Sequence, residues 1–508
     1  MPAQSEIFRE HKFDPPASGM RSRVLDGALL IGSAQAVRVL TQIGSVIVLS
    51  RLLCPSDFGV VAMAWPVVAL VMLFQDMGLG QAIVQKSRLE HDEVSAIFWV
   101  SALAGAMLSL LLVLLAPAVG WYFHDTRPAH LAEALAAVAL VSSLSSQPSA
   151  ILTRRMRFGW LALVNALGAL SGLAASIGWA LIWPSYWALY VGNMTAALLS
   201  LVTLWLAANW CPSLPRRMAQ GGGLLRFGSG LTVANFMTYV SRNLDNVLIG
   251  RYWGGDALGL YDRAYKLLLF PLQQVNTPLA KVMIPALSRM ADDPSRYRQA
   301  YLRALGFVLT ATMPGVAFAV GTARLLFPTV LGQKWQSAAP IFIALGVAGL
   351  VQPLNNPSGW LYISQGRSTE FMHMGILSAA FCVAAFIIGM PFGPVGVAIA
   401  YSTGEYLRMP ILWWYVGRRG PVGWRDVFGV AIPNLLGALV SLAGARAVQH
   451  LLPGHPWGAL VLAAVCAYLL SFAVLFGFRT GRATLKDVWS LLRGTVRRYL
   501  LRNMPRSA

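Results

Sequence analysis

A chain of 508 residues with 56% hydrophobic and only 12% charged residues carries more apolar side chain than a water-soluble core of that length encloses. Its mean hydropathy of +0.59 makes a bilayer its natural solvent. The formal charge of +20, from 40 Lys plus Arg against 20 Asp plus Glu, would suggest nucleic acid in a soluble protein, but most cations fall in short loops and tails, as the positive-inside rule requires, and the reading excludes that partner.

In chain order, a polar basic tail (1–26) with Arg9, Lys12, Arg21 and Arg23 comes first. The apolar run after it is too long for a signal peptide core and lacks a cleavage site, so it reads as an uncleaved first span. Stretches able to cross about 30 Å of hydrocarbon as helix lie near 27–50, 58–80, 95–117, 131–152, 159–183, 186–208, 228–250, 261–287, 302–325, 337–362, 371–390, 393–416, 427–449 and 457–478. The expectation is an all-α polytopic membrane protein of about fourteen spans: an N-lobe (27–208), a linker (209–226), a C-lobe (227–416), two extra helices (417–478) and a basic tail (479–508).

Lys86/Arg88, Arg154/Arg155/Arg157, Arg216/Arg217/Arg226, Lys281/Arg289/Arg296/Arg298, Arg367 and Arg418/Arg419/Arg425 occupy every second connection. With both tails basic, this places N- and C-termini in the cytoplasm. Within the tail, Leu485, Val488, Trp489, Leu492, Val496 and Tyr499 recur at helical spacing, which fits either an amphipathic helix on anionic lipid or a solvated basic tail.

An internal repeat emerges from two markers. Arg51 and Gly59, at the end of the first span, recur as Arg251 and Gly259 after the seventh, and Gln147-Pro148-Ser149 in the fourth is echoed by Asn356-Pro357-Ser358 in the tenth. Matching helices six spans apart describe a parallel repeat of two six-helix lobes, with the last two spans unmatched. Pro148, Pro353 and Pro357 are expected to interrupt the backbone ladder of their spans.

No Walker A loop, zinc-binding helix, nucleophile elbow or cysteine pair is present, so the chain reads as a non-enzyme, and it calls for neither cofactor nor metal. What remains are polar groups inside spans, each charge costing about 2.5–3.5 kcal/mol at mid-bilayer unless it meets a cavity or a partner. Gln35, Arg38, Gln42 and Ser45 stack on one face of the first span, and Asn235, Thr238, Arg242 and Asp245 repeat that spacing in the seventh. These stripes either line a cationic cavity, with Gln35, Arg38, Gln42, Asn235 and Arg242 as substrate contacts, or bond helices together; a guanidinium is a costly way to do the latter. Arg263 and Lys266 open the eighth span as further anion-binding candidates. Asp262 is either their counter-ion or a proton carrier, and Glu405, three residues before Arg408, either titrates or pairs. Asp76 is expected to cap or snorkel, and Arg51 and Arg251 to serve the outer loops.

Ser50-Arg51-Leu52-Leu53 with Phe58-Gly59, Leu225-Arg226-Phe227-Gly228, Gly259-Leu260-Tyr261 with Ala264-Tyr265, Gly332-Gln333-Lys334-Trp335 and Asn356-Pro357-Ser358-Gly359 resemble the Wzx-type polysaccharide exporters, close to the colanic-acid branch of the MOP (multidrug/oligosaccharidyl-lipid/polysaccharide) superfamily. The resemblance implies an inner-membrane flippase for undecaprenyl-diphosphate-linked oligosaccharide repeat units in surface polysaccharide synthesis. It further implies two six-helix bundles around a cavity, two additional helices, and polymerase and export machinery as partners. Alternating access driven by a proton or sodium gradient is the mechanism expected, with Asp245, Asp262 or Glu405 as ion carriers. The competing readings are a membrane glycan polymerase or ligase, which needs sizeable outward loops where the longest here reads as about a dozen residues (121–130), and a drug antiporter of the same superfamily.

Overall fold

The computed structural model describes residues 20–75, 83, 90–213, 222–452 and 454–487, with backbone alone over 20–34, 73–75 and 222–242. No strand occurs among them. The helices are α1 (Met20–Leu52), α2 (Pro55–Gln75), α3 (His91–Phe123), α4 (Thr126–Arg154), α5 (Phe158–Ile182), α6 (Trp187–Ala208), α7 (Gly222–Ser288), α8 (Pro294–Gly321), α9 (Ala338–Asn355), α10 (Ser358–Ser364), α11 (Ser368–Gly389), α12 (Gly393–Gly417), α13 (Trp424–Leu451) and α14 (Pro456–Gly477).

Ten helical stretches are long and apolar enough to cross a membrane, one of them α11 and α12 together over 50 residues. Counting that one as two crossings and adding α1 and both limbs of α7, which carry the intramembrane arginines, recovers the fourteen expected. The limbs of α7 meet at Gly254, whose φ of 79° and ψ of −178° suit only glycine. On α3, Leu103, Met107, Leu110 and Leu114 are each about 60% exposed or more, a stripe that water would penalise and acyl chains welcome.

The chain divides into two compact units, Met1–Gly259 and Leu260–Ala508. In the first, α1 packs along α5, α5 along α6, and α4 against α2, α3 and α6. The α5–α6 contact follows from small residues four apart, because lipid tails are as apolar as leucine and helices associate there by close fit. Gly168, Gly172 and Ser176 face Gly192, Ala196 and Ser200, and a Cβ on Gly172 would lie 2.9 Å from Gly192 O. Gly192→Val is expected to lower stability by about 1–3 kcal/mol through overpacking, read as a lower melting midpoint in detergent; an unchanged midpoint would refute this contact.

The basic loop after α4 does more than set topology. Arg155 Nη1 donates to Ala208 O at 2.6 Å and Arg157 Nη1 to Ala207 O at 3.4 Å, while Arg154 Nη1 reaches Ile83 O at 2.9 Å. Ala207 and Ala208 close α6, so the arginines supply donors and positive charge to carbonyls that the helix leaves unpaired. Arg155→Ala is expected to cost about 1–3 kcal/mol, and Arg155→Lys less, in the same thermal assay.

In the second unit α8 packs against α9, α13 and α14, and α9 against α12. α9 and α10 are the most enclosed span, 78% of its window buried. The two unmatched helices form a hairpin on α8: Ser441 Oγ donates to Ala467 O at 2.5 Å, Thr310 Oγ1 to Asn434 Oδ1 at 3.0 Å, and Tyr468 OH to Ala311 O at 3.0 Å.

Two expectations change. The connection between α3 and α4 is only His124 and Asp125, not a dozen residues, since Asp125 caps α4 by accepting from Arg127 N at 2.9 Å and His124 turns at φ 54°. Burial pushes the Asp125 carboxyl up, but the Arg127 hydrogen bonds and charge outweigh it and hold it below its ordinary value. Pro148 and Pro353 sit inside continuous helices, and only Pro357 separates two, α9 from α10. Asp76 and residues 488–508 of the tail lie outside the described residues; the helix through 479–487 starts the tail against α8, with Arg303 3.4 Å from Asp487.

Candidate functional site

In the first unit the polar face of α1 divides by burial. Gln35, Arg38 and Gln42 are exposed and Ser45 is half-buried, while Thr41 is buried and Gly44 lies against Leu173 of α5. A guanidinium halfway along a helix, on a surface that protein does not cover, costs free energy wherever that surface meets acyl chains rather than water or an anion. Asn235, Thr238 and Arg242 belong to the stretch of α7 described by backbone alone, so their side chains lie outside the described residues. Asp245 is buried and accepts Asn246 N at 2.8 Å.

In the second unit Lys266 Nζ is 2.8 Å from Asp262 Oδ2, one helical turn away; the lysine side chain is 58% exposed and the carboxylate 7%. Arg263 is buried, its guanidinium 5.8 Å from the centre of the fully buried Trp335 ring. The Gly332-Gln333-Lys334-Trp335 segment therefore packs against an arginine that the sequence offered as a substrate contact.

Glu405 is held by two residues, Arg408 and Asn355. Arg408 Nη2 donates to both of its oxygens, at 2.8 and 2.7 Å, Arg408 Nη1 donates to Ser378 Oγ at 2.8 Å, and Asn355 Nδ2 donates to Glu405 Oε2 at 3.3 Å. One turn away Gln352 Nε2 donates to Tyr401 OH at 3.0 Å, and the Tyr401 ring stands edge-on to Tyr265. Gln352 and Asn355 on α9 thus meet Tyr401 and Glu405 on α12 as two polar rungs. The amide oxygens of Gln352 and Asn355 are buried without a hydrogen-bond partner. Sequence reasoning found the pair of charges but missed Gln352, Asn355, Ser378 and Tyr401; polar residues three and four apart in highly apolar spans were the available signal.

Comparison with known proteins agrees with this architecture. The chain resembles the lipopolysaccharide biosynthesis protein WzxC of Escherichia coli (strain K12), 23% identical over 385 residues, 75% of this chain and 78% of that one. It also resembles the succinoglycan biosynthesis transport protein ExoT of Rhizobium meliloti (strain 1021), 26% identical over 312 residues, 60% of this chain and 62% of that one. Its fold matches the lipid II flippase MurJ in an inward closed conformation with a TM-score of 0.68, 13% identity, and coverage of 88% of this chain and 99% of that one. An inward-facing multidrug resistance MATE family transporter of the MOP superfamily matches at a TM-score of 0.57 with 15% identity over 80% of this chain and 94% of the other. Residues 48–340 match the model of the polysaccharide biosynthesis protein family, and the chain, a multispanning membrane protein with the fold of the MOP transporters, belongs to that family.

Proposed function

We propose that the protein carries an undecaprenyl-diphosphate-linked oligosaccharide from the cytoplasmic to the periplasmic leaflet of a bacterial inner membrane, by alternating access of two repeats. The observation that carries this is the exposed arginine face of α1, with Arg38 between Gln35 and Gln42, in a chain whose fold matches a lipid II flippase along nearly that protein's whole length. A diphosphate carries two charges that hydrocarbon excludes, and guanidinium with amide donors offsets their desolvation. Arg242 and Asn235 on α7 extend the anion path, and Lys266 is a further anion-binding residue of the second unit. The N-lobe (27–208) and C-lobe (227–416) are the two repeats that alternate, and polymerase and export proteins receive the product.

Of Asp245, Asp262 and Glu405, Glu405 supports ion coupling best, because two unpartnered amide oxygens lie on the helix face that meets it. Arg408 already occupies both carboxylate oxygens, so a proton or sodium ion loads by displacing it. The fold likeness to a multidrug transporter favours one second reading, extrusion of amphipathic cations, which the arginine on the exposed face opposes.

Deleting the gene and analysing lipid-linked glycans tests the proposal. The expected result is accumulation of unpolymerised repeat units facing the cytoplasm. Normal polymer with no accumulation refutes the flippase, and raised sensitivity to cationic dyes instead would favour the drug transporter.

A further inference from the structure

The two copies of the sequence repeat touch at equivalent residues. Arg51, Pro55 and Gly59 correspond to Arg251, Gly255 and Gly259, each four residues apart. A Cβ on Gly59 would fall onto the carbonyl oxygen of Gly255, 2.5 Å from its carbon and 2.9 Å from its Cα. A Cβ on Gly259 would fall onto the carbonyl oxygen of Pro55, 2.7 Å from its carbon and 3.0 Å from Gly59 N. Each repeat thus presents a glycine to the carbonyl that stands, in the other repeat, four residues before the matching glycine. Such a reciprocal contact lies on the local two-fold axis that relates these segments.

Its surroundings place it along the membrane normal. Phe123 at the end of α3 meets Gly250, where a Cβ would be 2.8 Å from the ring, and Arg251 lies 5.8 Å from the centre of the Tyr122 ring. The basic loop 154–157 is at the far end of α4, a helix of 29 residues, or about 43 Å. The crossing is therefore at the cation-poor end. Both strands of it are junctions: Leu53 and Cys54 separate α1 from α2, and Gly254 breaks α7. Backbone against backbone at two glycines fits closely yet holds by weak Cα–H···O contacts, so it can part and re-form.

We infer that the crossing of residues 55–59 with residues 255–259 is the closed gate on the cation-poor side of the membrane, and that glycine at 59 and 259 is what allows it to shut. This rests on the transport reading above. An alanine methyl at either position holds the two segments apart, leaves that side open, and stops the alternation on which transport depends.

The experiment uses the full chain in membranes, with Cys54, Cys211, Cys382 and Cys466 replaced by Ser and cysteines introduced as Ser56→Cys and Gly255→Cys. Position 255 has room, its nearest neighbour being Ser56 O at 3.8 Å from a Cβ. A short cleavable thiol cross-linker should join the pair, halt glycan export, and release it on reduction. Gly59→Ala or Gly259→Ala should each lower cross-linking and export about ten-fold, whereas Gly178→Ala, which has nothing within 4 Å of its Cβ, leaves both intact. Export by the cross-linked protein, or a Gly59→Ala/Gly259→Ala chain that cross-links and exports like its parent, overturns the gate. The locked pair tests it even where an alanine variant fails to insert. A glycine-dependent cross-link in a chain whose deletion leaves lipid-linked glycans and polymer unchanged would instead overturn the glycan-transport reading while the closed crossing itself stands.

Discussion

Arg38→Ala abolishes export while the protein still reaches the membrane at its normal level, and Arg38→Lys restores part of it. Arg38 is exposed at mid-helix, so its removal deletes no buried contact and relieves, rather than creates, a desolvation cost of about 2.5–3.5 kcal/mol. Were Arg38 without an anion-binding role, its removal would therefore leave melting unchanged or higher and export normal. An anion-binding role shows as lost export without lost protein, because each guanidinium bond to phosphate is charge-assisted and bidentate. Lysine keeps the charge but not the fork, hence a partial rescue. Arg242→Ala, on the equivalent stripe of α7, is expected to do the same. Full export by the Arg38→Ala/Arg242→Ala double variant would sink the anion path.

The second large effect is on stability. Arg408→Ala should destabilise by about 3–5 kcal/mol, because it strands Glu405, a buried carboxylate, with only Asn355 as donor. Glu405→Gln with Arg408→Gln should recover most of that loss, since two neutral amides of similar size leave no buried charge. Thermal unfolding of the two singles and the double closes the cycle. The same variants separate structure from coupling: a double variant that is stable but no longer drives uphill export places the ion at Glu405, and one that is stable and fully active assigns the pair to packing alone.

The α5–α6 seam shows how far sequence reading reached. Gly168, Gly172, Ser176 and Gly192, Ala196, Ser200 are visible as small residues four apart, yet nothing in hydropathy says that these two faces meet. The repeat markers behaved likewise. Arg51 with Gly59 and Arg251 with Gly259 were legible as a spacing, but that each glycine lies against the other repeat's carbonyl was not. Gln147-Pro148-Ser149 and Asn356-Pro357-Ser358 were legible as an echo, yet α4 runs on through its proline and α9 stops before the other.

By itself the sequence determined that this chain enters a bilayer, the number of its crossings, its repeat and its family. Each apolar run of about 20 residues must satisfy its own backbone as helix before meeting any partner, so those outcomes are local. Tertiary structure alone decided what the polar residues do. It turned Arg154, Arg155 and Arg157 to the carbonyls of Ile83, Ala208 and Ala207, locked Glu405 between Arg408 and Asn355, buried Arg263 beneath Trp335, and left Arg38 uncovered. In lipid the hydrophobic effect does not select which helix faces which. That choice falls to shape and to a few hydrogen bonds between distant residues, and these exist only once the helices have come together.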